Sequence, residues 1–312
     1  MDEIMKSAFE SGINVSQETP VAEFSPPFEL VEPAELLSPL VFSSPHSGRR
    51  YPESFLAESR LDITTLRRSE DAYVEELFAA ARDIGAPLLH AHVPRAYLDL
   101  NREPFEFDPK LFNGPLPSFA NTRSLRVAAG LGTIPRVVAD AREIYQQRLS
   151  IPEAMRRVDA YYRPYHAALR GLMERATHRF GVAVLIDCHS MPSGGAREKR
   201  RMDFVIGDRY GASAARPLVE GVEERLKNRG YLVQRNRPYA GGFITEHFGR
   251  PAMGWHALQI EVSRGLYMDE TQLTKKPEFA EVAGHLAEVI AGLAQDIERE
   301  PLLGAPPRAA AE

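Results

Sequence analysis

The fold is decided by the stretch Gly181-Val-Ala-Val-Leu-Ile-Asp-Cys-His-Ser190. Its continuous apolar run is the pattern of a strand that is buried on both faces of a parallel sheet. Ligands of open α/β sheets bind at the carboxyl ends of the strands, so Asp187 and His189 are expected near a binding site. A second apolar run, Leu40-Val-Phe42, leads to Ser43-Ser-Pro-His46 in the same way. The two histidines are therefore expected at one edge of one sheet.

The rest of the chain alternates between helix and strand patterns. Residues 71–84 carry apolar side chains at helical spacing up to Gly85, which predicts a helix that ends there. The capping box Ser150-Ile-Pro-Glu153 begins a second helix that we expect to reach about His178 with a kink at Pro164. Further strands are expected over 204–206, 231–233 and 258–262, and further helices over about 213–229 and 277–297. This order predicts an α/β fold, a three-layer α/β/α sandwich around a mostly parallel or mixed sheet.

The domain organisation is simple. The chain has 312 residues, 44% of them hydrophobic, which suits one large α/β domain over residues 36–298. Residues 1–35 are rich in Pro, Glu and Ser and are expected to form an extended segment, and residues 299–312 are expected to be a disordered tail. Residues 103–135 are dense in Pro and Gly, which is typical of a lid or a binding-site loop.

Composition excludes several classes of partner. The net charge is −5, so no global basic field would attract nucleic acid or an anionic membrane. The one cysteine, Cys188, cannot form an intramolecular disulfide, which favours a reducing compartment. The acidic start Met1–Lys6 lacks the apolar core of a signal peptide, and no apolar stretch approaches the roughly 18 residues of a membrane span. A cytoplasmic location is expected.

His46 and His189 are candidate metal ligands. A single histidine at a strand end is most often a structural hydrogen-bond partner, but two in matched positions favour a metal site. A zinc hydrolase needs about three protein ligands and one open position for water. The sequence leaves Asp71, Glu70 and Asp187 open as the third ligand. Asp71 also has a structural explanation, because a carboxylate at the start of a helix is favoured by the helix dipole.

Other reactive residue types have structural interpretations. The pair in His90-Ala-His92 shares one face of a strand, which can bind metal, but it lies in the middle of the strand and a structural role is favoured. Cys188 should point to the opposite face from His189 and enter the core. Ser47 and Ser190 lack the Gly-x-Ser-x-Gly elbow of serine hydrolases. Nucleophilic catalysis is therefore not expected.

Two further motifs suggest an anionic substrate and acid–base chemistry. Asn101-Arg102 follows an extended run, where a fixed guanidinium beside an amide suits a carboxylate, although most arginines are simply surface residues. Glu261 has apolar neighbours, and a buried carboxyl with a raised pKa suits a general base. Its structural alternative is a core ion pair with Arg264. The basic loop 196–201 is either simply solvated or attracts an anionic substrate.

Several motifs in order resemble those of one family. They are Ser44-Pro-His-Ser-Gly48, Arg95-Ala-Tyr-Leu-Asp-Leu-Asn-Arg102, Gly132-Thr-Ile-Pro-Arg136, Asp187-Cys-His-Ser-Met-Pro192, Gly241-Gly-Phe-Ile-Thr-Glu-His-Phe-Gly249 and Ala257-Leu-Gln-Ile-Glu-Val262. Together they resemble the N-formylglutamate amidohydrolase family over roughly residues 38–290. That family is similar to zinc carboxypeptidases and to the aspartoacylase and succinylglutamate desuccinylase group. The resemblance implies a zinc-carboxypeptidase-like sandwich.

The resemblance also implies a metal site. It implies one zinc ion per chain, bound by His46, Asp71 and His189. Zinc carboxypeptidases have a carboxylate ligand three residues after the first histidine, and that position here is Arg49. The carboxylate must come from elsewhere, and the choice between Asp71 and Glu70 stays open.

The remaining site residues follow from the same resemblance. Glu261 corresponds to the general base, and Arg95 to the arginine that polarises the substrate carbonyl. Asn101-Arg102 would bind the α-carboxylate, and either Arg136 or Arg264 a γ-carboxylate. The implied reaction converts N-formyl-L-glutamate, a small anionic substrate, to formate and L-glutamate in histidine breakdown. The alternatives are an amidohydrolase for another N-acyl amino acid or a small peptide, and a non-catalytic ligand-binding protein of the same fold.

Overall fold

The computed structural model describes residues 24–138, 141–194 and 202–299. A mixed sheet of seven strands forms its centre, in the spatial order β1-β3-β2-β6-β9-β7-β8. The remaining strands form the two-stranded ribbons β4–β5 and β10–β11. In chain order the strands are β1 (Phe28–Val31), β2 (Leu40–Ser44), β3 (Leu88–Ala91), β4 (Val137–Val138), β5 (Arg142–Glu143), β6 (Ala183–Met191), β7 (Phe204–Gly207), β8 (Val233–Arg235), β9 (Trp255–Ser263), β10 (Met268–Asp269) and β11 (Thr274–Lys275).

The helices vary widely in length. They are α1 (Glu53–Glu58), α2 (Ile63–Arg67), α3 (Val74–Leu77), α4 (Leu125–Ala128), α5 (Ile151–Arg157), α6 (Arg163–Phe180), α7 (Arg216–Asn228), α8 (Phe243–Phe248) and α9 (Phe279–Arg299). Short 3-10 turns occupy Ala79–Ile84, Arg209–Gly211, Pro251–Met253 and Arg264–Leu266. Within the described ranges, no helix has both the length and the apolar character that crossing a membrane requires.

The sheet is parallel at its centre and antiparallel near its edges. Strands β3, β2, β6 and β9 run parallel, whereas β7 is antiparallel to β9 and β1 is antiparallel to β3. Strand β1 lies in the segment that was expected to be an extended lead-in, and it adds an edge strand in which Glu29 is opposite His90. The mixed α/β sheet is the architecture that the sequence predicts.

Two apolar cores cover the two faces of the sheet. Along β6, Ala183 and Leu185 enter one core, which α6 closes, while Val184, Ile186 and Cys188 enter the other, which α7 and α9 close. Alternate residues of a strand point to opposite faces, so a strand covered on both faces is apolar throughout. This arrangement confirms the α/β/α sandwich and places Cys188 in the core as predicted.

Two predicted helices differ from the observed elements. The helix expected over 71–84 is the short α3 followed by the 3-10 turn Ala79–Ile84, which ends at Gly85 in the left-handed conformation. The helix that begins at Ser150 is interrupted by a π turn over Val158–Tyr162. Proline has no N–H and cannot continue the hydrogen-bond ladder, so the expected kink at Pro164 takes the form of this turn just before it.

Strand β6 extends further than the apolar run indicates. Its pairing with β9 continues to Met191, opposite Ser263, and places His189 opposite Glu261. His189 therefore lies within the strand and not in the loop after it. Strand β8 begins at Val233, two residues later than expected. The expectations for loop 196–201 and for residues 300–312 fall outside the described residues.

Candidate metal centre and substrate cavity

A cavity of about 750 Å³ opens at the carboxyl ends of β2, β6 and β9. It brings together nearly every residue that the sequence singles out for chemistry. The lining residues of that kind are His46, Asp71, Arg95, Asn101, Arg102, His189, Glu261 and Arg264. Arg136 does not line the cavity, because its guanidinium is paired with Asp108 (Nε to Oδ2, 2.7 Å) and with Glu143 (Nη1 to Oε1, 3.1 Å). Its expected contact with substrate is not supported.

His46, Asp71 and His189 form a buried cluster whose ligand atoms all lie within 4.8 Å of one another. Oδ2 of Asp71 is 2.9 Å from Nδ1 of His189 and 3.4 Å from Nδ1 of His46. The backbone N–H of Asp71 donates to the carbonyl of His46 over 2.9 Å, which holds the two loops together. Two imidazole nitrogens and one carboxylate oxygen are the protein donor set of a catalytic zinc site.

The opposite nitrogens of both imidazoles face carboxylates. Nε2 of His46 lies 2.7 Å from Oδ1 of Asp99, and Nε2 of His189 lies 3.0 Å from Oδ1 of Asp187. An Nε2–H donated to a carboxylate leaves the Nδ1 lone pair free for a cation, as in the carboxylate–histidine pairs of metal sites. Nδ1 of His46 is buried and has no hydrogen-bond partner in the described part of the chain. These residues fit a divalent metal.

Electrostatics keep the cluster charged. Burial alone would raise the pKa of Asp71, but the hydrogen bond with His189 and the nearby imidazole of His46 hold it well below its usual range. Burial would lower the pKa of His189, but the carboxylates of Asp187 and Asp71 raise it well above the usual value, so a bound cation would replace the proton on Nδ1. Asp71 is therefore an ionised carboxylate, which is the form that binds a cation.

Glu70 does not join the cluster. Its Oε1 accepts a hydrogen bond from the hydroxyl of Tyr51 at 2.8 Å and from Nε of Arg67 at 3.2 Å. Asp71 instead accepts at Oδ1 from Ser190 (3.2 Å) and from Nη2 of Arg264 (3.1 Å). Of the two neighbouring acids, the geometry selects Asp71.

Glu261 lies beside the cluster on the adjacent strand. Its Oε1 accepts from Nε2 of Gln259 at 2.7 Å, and Gln259 is itself fixed by the backbone N–H of Gly242 at 2.8 Å. Burial raises the pKa of Glu261 to about 7. A carboxyl with that pKa exchanges protons readily near neutral pH.

Asp99 organises two arginines of the cavity. Its Oδ2 lies 3.0 Å from Nε of Arg95 and 3.3 Å from Nη2 of Arg102. Arg95 remains 28% exposed and lines the cavity, whereas Arg102 also donates to the carbonyls of Leu131 and Asn101. Asp99 thus joins the arginines to His46.

Two residues that are expected to bind substrate, Asn101 and Arg264, also form hydrogen bonds within the protein. Oδ1 of Asn101 accepts from the backbone N–H of Ile244 at 2.7 Å, and its Nδ2 donates to Oδ2 of Asp187 at 3.4 Å. Arg264 donates to Asp71, to Ser190 and to the carbonyl of Arg68. These contacts help to position the candidate metal ligands. Asn101 and Arg264 also line the cavity, and their expected contacts with substrate stay predictions.

Several cavity residues were not found from the sequence. They are Asp99, Gln259, Tyr239, Arg68, Arg126 and Arg209. The spacing Asp99-x-Asn101-Arg102 and the alternation Gln259-x-Glu261 are the only sequence signals for the first two. Outside the cavity, His90 and His92 both face Glu29 of β1, at 3.6 and 3.5 Å.

An α/β/α sandwich that carries this cluster and a strand glutamate at its strand ends is the framework of an amidohydrolase. Residues 38–268 match the model of the N-formylglutamate amidohydrolase family, and the chain belongs to that family.

Individual relatives agree with this assignment. The N-formylglutamate deformylase of Pseudomonas aeruginosa is 32% identical over 250 residues, covering 78% of this chain and 86% of the relative. That of Pseudomonas putida is 30% identical over 239 residues, covering 75% and 83%. The crystal structure of N-formylglutamate amidohydrolase from Ralstonia eutropha JMP134 is 38% identical with a TM-score of 0.83, covering 88% of this chain and 99% of that one.

Proposed function

We propose that the chain hydrolyses N-formyl-L-glutamate to formate and L-glutamate with one zinc ion held by His46, Asp71 and His189. The observation that carries the proposal is the convergence of two Nδ1 atoms and Oδ2 of Asp71, with both Nε2 atoms directed at carboxylates. Relatives at 30% and 32% identity that are named N-formylglutamate deformylases support the substrate.

The ligands are held by their own partners. Asp99 and Asp187 orient the two imidazoles, and Arg264 orients Asp71. When bound, zinc supplies Lewis-acid activation of water and of the amide carbonyl at neutral pH.

Glu261 carries the proton transfer. Gln259 binds its Oε1, which leaves Oε2 to take the proton. With a pKa of about 7, Glu261 accepts a proton from the attacking water and returns it to the leaving amine.

Arginines supply the charge that the substrate requires. Arg95 is tied to Asp99 through Nε, which leaves its terminal N–H groups to stabilise the oxyanion as it forms. Arg102 lies next to it and receives the α-carboxylate. Six arginines line the cavity against the acids Asp71, Asp99 and Glu261, so the site attracts small anions.

Replacing Glu261 tests this mechanism. Glu261→Gln keeps the shape of the side chain and removes the base, so turnover should fall on the order of 100-fold or more. Glu278→Gln on the exposed surface is the control. Near-normal turnover by Glu261→Gln with a full complement of zinc would show that another group takes the proton.

A second candidate is an amidohydrolase for a longer N-acyl group. The cavity of about 750 Å³ has room beyond a formyl group, which is the observation in its favour. Metal-loaded protein should be assayed with the N-formyl, N-acetyl and N-succinyl derivatives of glutamate. We expect the formyl derivative to have the highest kcat/KM, and a clear preference for another acyl group would replace the proposal with this candidate.

A further inference from the structure

Residues 126–138 contribute part of the cavity lining, a lobe that is apolar apart from a single charge. It is lined by Arg126 together with Ala129, Leu131, Pro135, Val137 and Val138. Apolar walls suit a methylene chain, and an arginine among them suits an anion at the end of that chain.

Arg126 forms no salt bridge in the described part of the chain, although the charge of the buried Glu106 carboxyl acts on it. No carboxylate oxygen there lies within 4.0 Å of its guanidinium. Four other arginines of the cavity differ: Arg209, for example, pairs with Glu246 at 2.8 Å, and Arg95, Arg102 and Arg264 pair with aspartates. Arg68 also lacks a paired carboxylate, but it is exposed and its charge is hydrated, whereas Arg126 is half-buried. A bound anion would supply the salt bridge that Arg126 lacks among the described residues.

The lobe lies next to Arg95 and Arg102, the two arginines that pair with Asp99. Nε of Arg102 donates to the carbonyl of Leu131 at 2.9 Å, which fixes the wall of the lobe to Arg102. Burial, together with the positive charges of Arg95 and Arg126, lowers the pKa of Arg102 to about 10, although the negative charge of Asp99 opposes the shift. The guanidiniums of Arg102 and Arg126 thus repel each other, and ligand carboxylates beside them would relieve that repulsion.

The short helix α4, which carries Arg126, and the loop that follows it are held in place. Oγ of Ser124 accepts from the backbone N–H of Val127 at 3.0 Å, and the N–H of Arg136 donates to the carbonyl of Gly130 at 2.8 Å. A Cβ on Gly132 would lie 2.1 Å from the carbonyl oxygen of Glu106, so the loop packs directly on that backbone. A fixed loop keeps Arg126 in position before a ligand binds.

We propose that Arg126 and this apolar lobe form a second anion subsite, which takes the distal carboxylate of a dicarboxylic substrate. The inference rests on the proposed function, in which Arg102 receives the α-carboxylate. A substrate with a neutral side chain would leave Arg126 without a salt-bridge partner, so the subsite selects acidic side chains.

Arg126→Gln tests the subsite with two matched substrates. N-formylglutamate and N-formylglutamine differ in the distal carboxylate alone. Loss of a charge-assisted contact should lower kcat/KM for N-formylglutamate about 10-fold or more and leave that for N-formylglutamine within about 3-fold. Arg123→Gln, which removes the same charge from an exposed side chain that does not line the cavity, should change neither value by more than about 2-fold. Equal losses on both substrates, or no loss on either, would overturn the proposal.

Ligand binding separates this inference from the proposed reaction. Glutarate should raise the Tm of the wild-type protein more than butyrate does, and Arg126→Gln should abolish the difference. If the wild-type protein releases no formate but keeps this preference, the reaction is wrong and the subsite stands. If Arg126→Gln retains the preference for glutarate, the subsite is wrong whatever the reaction.

Discussion

Nη2 of Arg264 donates a hydrogen bond to Oδ1 of Asp71 over 3.1 Å. The other oxygen of that carboxylate, Oδ2, lies 2.9 Å from Nδ1 of His189. Arg264 therefore holds Asp71 so that one oxygen faces the arginine and the other faces the imidazoles. It is a positioning residue for the proposed metal ligand.

Arg264→Met should weaken zinc binding by roughly 10- to 100-fold, because partners of metal ligands have effects of that size. The affinity can be measured by competition with a chromophoric chelator. Arg68→Met is the matched control, since Arg68 lines the same cavity but no hydrogen bond from its side chain to Asp71 is present. Equal affinities for Arg264→Met and wild type would show that Asp71 needs no such support.

The two neighbouring acids should behave differently on substitution. Asp71→Asn removes the charged ligand and should abolish stoichiometric zinc, measured by elemental analysis of the dialysed protein. Glu70→Gln should keep one zinc per chain and instead destabilise the fold by about 1–3 kcal/mol, since Glu70 is buried against Tyr51 and Arg67. The reverse pattern would make Glu70 the ligand.

Gly242 should not tolerate a side chain. A Cβ there would lie 2.4 Å from the amide of Asn101, and the backbone N–H of Gly242 fixes Gln259 beside Glu261. Gly242→Ala should lower kcat/KM by about 10-fold or more, because small displacements of catalytic groups are costly. Gly284→Ala, on an exposed and uncrowded face of α9, should keep activity and gain about 1 kcal/mol of stability. Unchanged kinetics for Gly242→Ala would mean that this contact is unimportant.

Glu75 of α3 should make stability depend on pH. Its Oε2 is buried without a hydrogen-bond partner among the described residues, and burial raises its pKa from 4.5 to about 7, although Arg49 lies 3.1 Å away. Folding therefore favours the protonated form. The stability that this form contributes is fully present below the unfolded pKa of 4.5 and is lost as pH rises through about 7.

Glu75→Gln should consequently gain unfolding free energy relative to wild type as pH rises from about 5 to about 8, by on the order of 2–3 kcal/mol. Urea denaturation at several pH values measures the difference. Exposed Glu174→Gln should show a difference from wild type that does not change with pH. A constant difference for Glu75→Gln would show that the carboxyl is already ionised in the folded protein at low pH.

The fold was predictable where a segment is buried on both sides. The apolar run 182–186 identified β6, because a central strand has no solvent-facing positions. The end of β6 was not predictable, since Asp187 and Ser190 interrupt the apolar pattern while the backbone continues to pair with β9. The segment 71–84 is likewise helical, but it consists of a short α-helix and a 3-10 turn and not of one continuous α-helix.

The types of residue in the candidate site could be predicted from the sequence, but the hydrogen bonds and ion pairs between them could not. His46, His189 and Asp71 meet in the cavity as the resemblance implied. Which imidazole nitrogen faces Asp71 depends on the carboxylates behind the rings, and their distances are set by tertiary packing. Arg126 shows the same limit, since it lies in the four-residue helix α4, which is too short to show a helical period in the sequence.

The most direct test follows zinc content and formate release together in one preparation. Protein loaded with zinc, stripped with a chelator and then reloaded should be assayed with N-formyl-L-glutamate after elemental analysis of each sample. We expect formate release to follow zinc content, to disappear on stripping and to return when zinc reaches one per chain. Undiminished formate release from protein that contains no metal would contradict the proposed role of His46, Asp71 and His189.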